Sequence, residues 1–138
     1  MGLPFHYVDL RAFCYATEDE DRVRDALRTV LPPEAAIEAA EGEGHHGDPI
    51  VILSARVERS AEIETIFDRL RESIDLDRVR EELDERLDDN NAIYVGLDKQ
   101  AAARGEIALG DGLTLRAKVE AYPAKREAAL ENAREALS

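Results

Sequence analysis

The chain has 138 residues, of which 44% are hydrophobic and 36% are charged, and its formal net charge is −13. It contains no run of about 18 apolar residues, which excludes a membrane-spanning helix, and its one cysteine, Cys14, excludes an internal disulfide. Because a chain of this length can bury roughly two-thirds of its unfolded surface and the N-terminus lacks the pattern of a signal peptide, we expect one domain over residues 1–138, located in the cytoplasm.

The first part of the chain predicts a strand, a helix and two further strands. Alternating apolar residues predict a strand over residues 6–16, and Thr17 with Glu20 forms a capping-box pattern that begins a helix. Two prolines end this helix. The strands predicted over residues 37–43 and 50–57 follow, and the second is apolar enough to be placed centrally in the sheet.

The turn between these two strands contains His45 and His46, with Glu43 and Asp48 beside them. Such a set can suggest a metal site. Adjacent histidines on an extended chain point to opposite sides, however, which does not suit a shared ion. We therefore predict a turn with no metal site and no cofactor.

The middle of the chain predicts two helices. Ser60 is predicted to cap the first, and Asp75 or Asp77 to begin the second, which ends at the acidic pair Asp88 and Asp89. Acids at a helix C-terminus oppose the helix dipole by about 0.3–1 kcal/mol at low salt. We expect concentrated salt to make this placement tolerable by screening it.

The last third contains the most regular strand pattern. Residues 92–97 predict a strand with Tyr94 outward, and residues 98–105 are predicted to form a loop or one helical turn, too small and flexible for the core. Residues 113–122 predict a strand whose outward side chains include Arg116 and Lys118. Pro123 ends this strand, and residues 124–137 predict the final helix.

Charge is distributed unevenly along these elements. All three lysines lie in the last third, and the first 91 residues carry the whole net charge because residues 92–138 are neutral. The dense acids either keep the protein soluble in concentrated salt, where the Debye length at 1 M is about 3 Å, or bind a basic partner. Their spread over every predicted helix favours the salt interpretation, since partner-binding acids more often form a block.

Together these elements predict an α+β fold, with a mostly antiparallel sheet and helices layered on one of its faces. The other face then combines cations with aromatic rings: Arg11, Phe13, Tyr15, Arg56, Tyr94, Thr114, Arg116 and Lys118. Such a surface can stack unpaired bases and hold phosphates. It can equally pack against a second subunit, and the residues alone leave both interpretations open.

Further cations extend this candidate surface. Lys99 and Arg104 lie on a connector of small residues that can approach a phosphate backbone closely. Lys125 and Arg126 begin the last helix, where the dipole disfavours cations and an external anion would offset that cost. The predicted nucleic-acid-binding residues are therefore Arg11, Arg56, Tyr94, Lys99, Arg104, Arg116, Lys118, Lys125 and Arg126.

Four short segments, in this order, resemble an archaeal family described as RNA-binding proteins and predicted exosome subunits: YATED (15–19), EGHHGD (43–48), LDKQAA (97–102) and LRAKVEAYP (115–123). The resemblance covers nearly the whole chain, and the acidic composition resembles a haloarchaeal member. It implies a fold like that of the ribosomal protein that binds 5S ribosomal RNA, a homodimer and RNA binding. Lys99, Arg116 and Lys118 match the basic positions of the family, and no catalytic residue is implied.

We therefore expect a non-catalytic RNA-binding accessory protein. Its partners would be structured RNA, with ribosomal RNA as one option, and an RNA-processing complex such as the archaeal exosome. The alternative is a homodimeric protein-interaction module that never contacts RNA. Because salt weakens phosphate contacts steeply, we expect stacking and shape to matter more than the number of charges.

Overall fold

The computed structural model describes residues 2–44 and 46–138, and these form an α+β fold, as predicted. The strands are β1 (Phe5–Tyr15), β2 (Glu38–Glu43), β3 (Pro49–Val57), β4 (Ala92–Asp98) and β5 (Gly112–Val119). The helices are α1 (Glu20–Val30), α2 (Ser60–Ser73), α3 (Leu76–Glu81), α4 (Leu83–Arg86), α5 (Lys99–Ala103) and α6 (Arg126–Ala136). None of the helices in the described part of the chain is long and apolar enough to span a membrane.

The five strands form one sheet in the order β2-β3-β1-β5-β4, and every neighbouring pair is antiparallel. The central strand is β1, not β3 as its apolar start suggested; β3 lies between β1 and the edge strand β2. From Tyr7 to Tyr15 the side chains of β1 alternate between the two faces of the sheet, and a register shift between Phe5 and Tyr7 interrupts the pairing with β5 before that stretch.

One face of the sheet is covered by the helices and forms the core. Leu10 of β1, Leu53 of β3 and Leu115 of β5 are at most 1% exposed, and Ile66 and Leu70 of α2 pack into the same cluster. Each fully buried leucine or isoleucine contributes about 1.5–3 kcal/mol through the hydrophobic effect. The predicted layering of helices on one face is confirmed.

The opposite face carries no helix, and we call it the open face. Cross-strand register and alternation assign it the following side chains: Tyr7, Asp9, Arg11, Phe13 and Tyr15 from β1; Glu38 and Ala40 from β2; Ile50, Ile52, Ser54 and Arg56 from β3; Tyr94 from β4; and Thr114, Arg116 and Lys118 from β5. The eight residues that the sequence predicted to combine cations and aromatic rings on this face all lie on it.

Two predicted helix caps differ in the structure. The N-cap of α1 is Asp19, whose side chain accepts from the Asp21 N–H, and not Thr17. The helix begins later because Glu18 belongs to a turn before it, where its carboxylate accepts from the Tyr15 N–H at 3.1 Å. The N-cap of α2 is Arg59 and not Ser60, since the Ile63 N–H already bonds to the Arg59 carbonyl.

The helix predicted to follow Asp75 is two short helices, α3 and α4, which meet at Glu82. Its acidic end also differs from the expectation. Asp88 Oδ1 accepts from the N–H groups of Asn90 at 2.8 Å and Ala92 at 2.9 Å. Asp88 is therefore a turn-forming residue with direct partners, and its position needs no salt screening.

The connector before β5 is part of the core, contrary to the sequence expectation. It forms the short helix α5, in which Ala101 is 6% and Ala102 is 1% exposed. The Thr29 hydroxyl of α1 donates to the Ala102 carbonyl at 2.6 Å. Small side chains here allow α5 to approach α1 closely, and Gly105, at φ +85°, closes the turn.

Candidate nucleic-acid interface

The open face is organised in rows that run across the strands. In one row, Arg56, Asp9, Arg116 and Tyr94 are directly opposite one another on β3, β1, β5 and β4. In the next row, Glu38, Ser54, Arg11 and Thr114 are aligned on β2, β3, β1 and β5. Neighbouring residues within a row are about 5 Å apart, and the two rows are about 7 Å apart along the strands.

In the first row, which we call the paired row, Arg56 is held by Asp9. Its Nε and Nη2 donate to the two carboxylate oxygens at 2.7 and 2.9 Å, and its guanidinium lies over the Tyr7 ring at 3.9 Å from the centroid. The hydrogen bond to Asp9 is the main cause that raises the pKa of Arg56. This bidentate, stacked arrangement leaves few donors for a ligand.

Arg116 is the second cation of the paired row. Its Nη1 donates to the Tyr7 hydroxyl at 3.0 Å, its Nη2 to Asp88 Oδ2 at 3.4 Å, and its guanidinium lies 5.6 Å from the Tyr94 ring centroid. Burial alone would lower the pKa of Arg116, but the interactions with Tyr7 and Tyr94 together outweigh it and raise the pKa above its usual value. Nε is buried without a hydrogen-bond partner among the described residues.

The row of Glu38, Ser54, Arg11 and Thr114 is different, and we call it the unpaired row. Within residues 2–44 and 46–138, none of these four side chains makes a hydrogen bond or an ion pair with the protein. The Arg11 guanidinium lies over the Phe13 ring, at 5.4 Å from its centroid. The row therefore offers a carboxylate, two hydroxyls and a guanidinium to a ligand, at no cost in internal hydrogen bonds.

Exposed rings and aliphatic side chains lie on either side of the unpaired row. Tyr94 is 40% exposed, Phe13 38% and Tyr15 49%. Ile52, directly opposite Phe13 on β3, and Ile50, opposite Tyr15, are half-buried beside them. We call Phe13, Tyr15, Ile50 and Ile52 the apolar end of the open face.

A shallow groove of about 600 Å³ runs over both rows. Its lining includes Arg11, Ser54, Thr114 and Tyr94, together with Arg56 and Arg116 of the paired row. This volume lies within the range of ligand-binding clefts, roughly 300–1,000 Å³. The groove can hold a planar polar group against Tyr94 while the unpaired row hydrogen-bonds to its edge or to an attached phosphate.

Of the predicted binding residues, Arg11, Arg56, Tyr94 and Arg116 are brought together in this groove. Lys118 lies on the same face but outside the groove, and its ammonium donates to the Asn90 carbonyl. Its role in binding nucleic acid stays a prediction.

Lys99 lies at the end of β1, away from the groove. Its ammonium donates to Glu18 Oε1 at 2.8 Å and to the Phe13 carbonyl at 3.0 Å, and its side chain is only 13% exposed. Burial would raise the pKa of Glu18, but the hydrogen bonds from Lys99 and from the Tyr15 N–H lower it further than burial raises it. Lys99 therefore ties β1 to the turn before α1.

The remaining predicted cations lie beyond the sheet. Arg104 is exposed after α5, and Lys125 is the exposed N-cap of α6. Arg126 donates to the carbonyls of Leu87 at 3.1 Å and Asp84 at 2.7 Å. Its position in the first turn of α6 is thus explained by the carbonyls at the end of α4, and no external anion is required.

The described residues contain no group of three or more histidine, cysteine or acidic side chains that could hold a metal ion. The predicted histidine turn lies partly outside them, because His45 is not described. Cys14 is buried, and burial raises the pKa of its thiol, which does not suit a nucleophile.

Sequence reasoning missed most of the unpaired row. Ser54 and Thr114 were assigned outward from alternation, but their alignment with Arg11 depends on strand register. Glu38 lies on β2, two strands from Arg11, and no pattern within its own strand places it beside a cation.

Comparisons with known proteins identify the family to which this chain belongs. A family model described as RNA binding matches residues 7–119. An RNA-binding protein of Pyrococcus abyssi is 34% identical over 146 residues, covering 98% of this chain and 95% of that protein. A solved protein structure from Archaeoglobus fulgidus shares 31% identity at a TM-score of 0.88, covering 96% of this chain and 99% of that chain. A DUF54 protein from Methanothermobacter thermautotrophicus shares 39% identity at a TM-score of 0.83, covering 97% of this chain and 98% of that chain. The chain belongs to this archaeal family, which is described as RNA binding.

Proposed function

We propose that this protein is a non-catalytic RNA-binding accessory protein whose open face takes unpaired nucleotides of a structured RNA. The observation that carries the proposal is the unpaired row, in which Arg11, Ser54, Thr114 and Glu38 have no partner within the described chain. Arg11 and Glu38 are exposed and Ser54 and Thr114 are half-buried, so a ligand can replace water at all four without breaking a hydrogen bond within the described chain. This row, beside exposed rings, therefore supports ligand binding at the open face.

Unpaired nucleotides fit this surface better than a duplex. RNA double helices expose phosphates and 2′-hydroxyls but hide the base faces, whereas splayed bases stack on aromatic rings. Phe13 and Tyr94 lie on opposite sides of Arg11, so a base on either ring brings its phosphate towards the guanidinium. Each stacked base contributes about 1–3 kcal/mol.

The proposal is tested by fluorescence anisotropy with a labelled RNA stem-loop in molar potassium chloride. Arg11→Ala is expected to weaken binding about tenfold, since hydrogen bonds to charged groups contribute about 1.5–3 kcal/mol. Arg80→Ala is the matched control, because Arg80 is also an exposed arginine but lies on α3, on the helical side of the sheet. Equal affinity of both variants and the wild type would contradict the proposal.

Arg116 and Lys118 are poorer test positions. Both side chains donate to other parts of the chain, so changing them alters the fold around Asp88 and Asn90 as well as the surface. Loss of binding in such a variant would not separate a ligand contact from a local structural change. Arg11 makes no such internal bond in the described chain.

The proposal also covers where the protein acts and which complex it associates with. We place it in a salt-rich cytoplasm, associated with an RNA-processing complex such as the archaeal exosome. Affinity purification from native lysate tests this association. Recovery of exosome subunits that survives ribonuclease treatment would support a direct contact, and recovery that is lost would mean that RNA alone bridges them.

A second candidate function is a homodimeric protein-interaction module. The apolar end favours it, because Phe13 and Tyr15 expose 38% and 49% of their surface next to two half-buried isoleucines. Sedimentation equilibrium distinguishes the candidates. A wild-type dimer that becomes monomeric in Phe13→Glu, while RNA binding is absent in both proteins, would favour the interaction module.

A further inference from the structure

The two edge strands of the sheet, β4 and β2, differ in how far the rest of the chain covers their backbone groups. A strand edge presents unpaired N–H and C=O groups, which can pair with another chain unless they are covered. At the β4 edge they are covered by the protein itself. At the β2 edge they have no partner within residues 2–44 and 46–138.

On β4, each residue that faces outward has a partner. The Ala92 carbonyl accepts from the Asp88 N–H at 2.9 Å, and the Tyr94 carbonyl accepts from Arg86 Nη1 at 3.1 Å. Further along, the Gly96 carbonyl accepts from Gly110, and the Asp98 N–H donates to Ala108. This edge is closed to strand addition.

The turn after β2 shows which residues of β2 hydrogen-bond to β3 and which point away from it. The Gly44 N–H donates to the Asp48 carbonyl at 2.6 Å, so this opposed pair is a hydrogen-bonded pair of the β2–β3 ladder. Such pairs alternate with non-bonded ones, so the backbone groups of Ala39, Glu41 and Glu43 point away from β3. None of them has a hydrogen-bond partner in the described part of the chain.

The side chains along this edge determine what would fit. Glu41 and Glu43 lie with Ala39 on the helical side of β2, and Ala40 and Gly42 lie on the open-face side, where Ile52 and Ile50 are directly opposite them on β3. An added strand would therefore place alternate residues beside carboxylates and beside an apolar strip. Opposite charges on facing strands stabilise pairing, whereas like charges oppose it.

We propose that the β2 edge binds an extended segment of a partner protein in which basic residues alternate with apolar ones, adding a sixth strand to the sheet. A second copy of this chain is the poorer occupant. Pairing β2 with itself would bring Glu41 and Glu43 next to the same acids of the other copy. This surface is independent of the unpaired row, so it does not rest on the RNA-binding proposal.

The probe is a short fluorescein-labelled peptide of alternating lysine and valine, compared with the same peptide carrying glutamate for lysine. The lysine peptide is expected to bind about tenfold more tightly, given the contributions of facing charge pairs. By NMR, it should slow amide hydrogen exchange at Ala39, Glu41 and Glu43. No binding of the lysine peptide at about 1 mM, or protection confined to other residues, would overturn the proposal.

Glu41→Pro is the blocking variant. The outward N–H of Glu41 makes no hydrogen bond with the described residues, and proline is tolerated at such edge positions. Folding should therefore be preserved while the peptide no longer binds. Ala40→Pro is the matched control. The N–H of Ala40 points towards β3, so this substitution should destabilise the protein. Unchanged peptide binding by folded Glu41→Pro would refute the proposal.

A charge-reversal variant tests the edge even if the proline variant fails to fold. Glu41→Lys combined with Glu43→Lys should prefer the glutamate peptide over the lysine peptide. If the double variant keeps the wild-type preference, the peptide does not lie along β2 and the proposal is wrong.

Discussion

Asp88 forms a turn in the structure, whereas the sequence predicted an acid at a helix end that needs salt screening. Replacing it gives a quantitative test of this structural role. Its Oδ1 accepts from the N–H groups of Ala92 and Asn90, and its Oδ2 lies 3.4 Å from Arg116 Nη2. Burial alone would raise the pKa of Asp88, but the two backbone bonds and Arg116 lower it instead. We expect Asp88→Ala to destabilise the fold mainly through the backbone bonds.

The loss of stability in Asp88→Ala depends on what happens to each hydrogen-bond partner of Asp88. Ala92 is 0% exposed, so its N–H finds no water after the substitution, and an unsatisfied buried donor costs about 1–3 kcal/mol. The Asn90 N–H lies near solvent and loses less, and Arg116 keeps its bond to Tyr7. The free energy of unfolding should therefore fall by about 2–4 kcal/mol. Asp88→Asn keeps an acceptor for both N–H groups and should lose about 1 kcal/mol.

The assay is urea unfolding followed by circular dichroism, at low and at molar potassium chloride. Asp89→Ala is the matched control: it removes the same charge from the neighbouring exposed position and should change stability by about 0.5 kcal/mol or less. Because hydrogen bonds act at short range, the effect of Asp88→Ala should persist in molar salt. Equal effects of Asp88→Ala and Asp89→Ala, or an effect that disappears in salt, would refute this reasoning.

Three further predictions concern residues around the two ends of the sheet. Because the pKa of Glu18 is lowered in the folded state, its ionised carboxylate stabilises the fold at pH values above the unfolded-state pKa. This stabilisation is lost as the pH falls through the folded-state pKa. In urea unfolding from about pH 7 to about pH 3, the free energy of unfolding should therefore fall less for Glu18→Gln than for the wild type. Lys99→Met should lower the unfolding free energy by about 1–3 kcal/mol without changing the RNA affinity of the folded protein, whereas Arg104→Ala should shift stability by about 0.5 kcal/mol or less. Gly96→Ala would place a Cβ atom 2.5 Å from the Gly110 carbonyl oxygen, and thermal unfolding should show a loss of about 1–3 kcal/mol.

The faces of the strands could be predicted because a period of two is visible within each strand's own sequence. Arg11, Arg56 and Tyr94 were all expected on the outward side, and they lie there. Register could not be predicted, because it depends on which strands become neighbours. The bond between Arg56 and Asp9 crosses from β3 to β1, 47 positions apart in the chain.

The same limit explains the connector and the caps. The small side chains of α5 predicted a loop or one helical turn outside the core, since nothing in the sequence shows that α1 packs against Ala102. Thr17 has the capping pattern, but the carboxylate of the next residue, Glu18, accepts a hydrogen bond from Lys99, 81 positions away. Local signals predicted the element types correctly where no distant partner competed with them.

The net charge of −13 and the open face lead to one consistent account of RNA binding. The open face carries four cations, Arg11, Arg56, Arg116 and Lys118, against two acids, Asp9 and Glu38, so the excess acid lies elsewhere. Three of these cations are engaged within the chain, which leaves Arg11 for a phosphate. Each phosphate contact with single-stranded RNA gives a salt slope of about −0.7. From about 0.1 M to about 1 M salt, one or two such contacts would weaken binding by roughly 5- to 25-fold, and stacking on Phe13 and Tyr94 would supply most of what remains. Under the proposed function, this acidic protein would therefore bind RNA in concentrated salt because few of the contacts at its interface depend on charge.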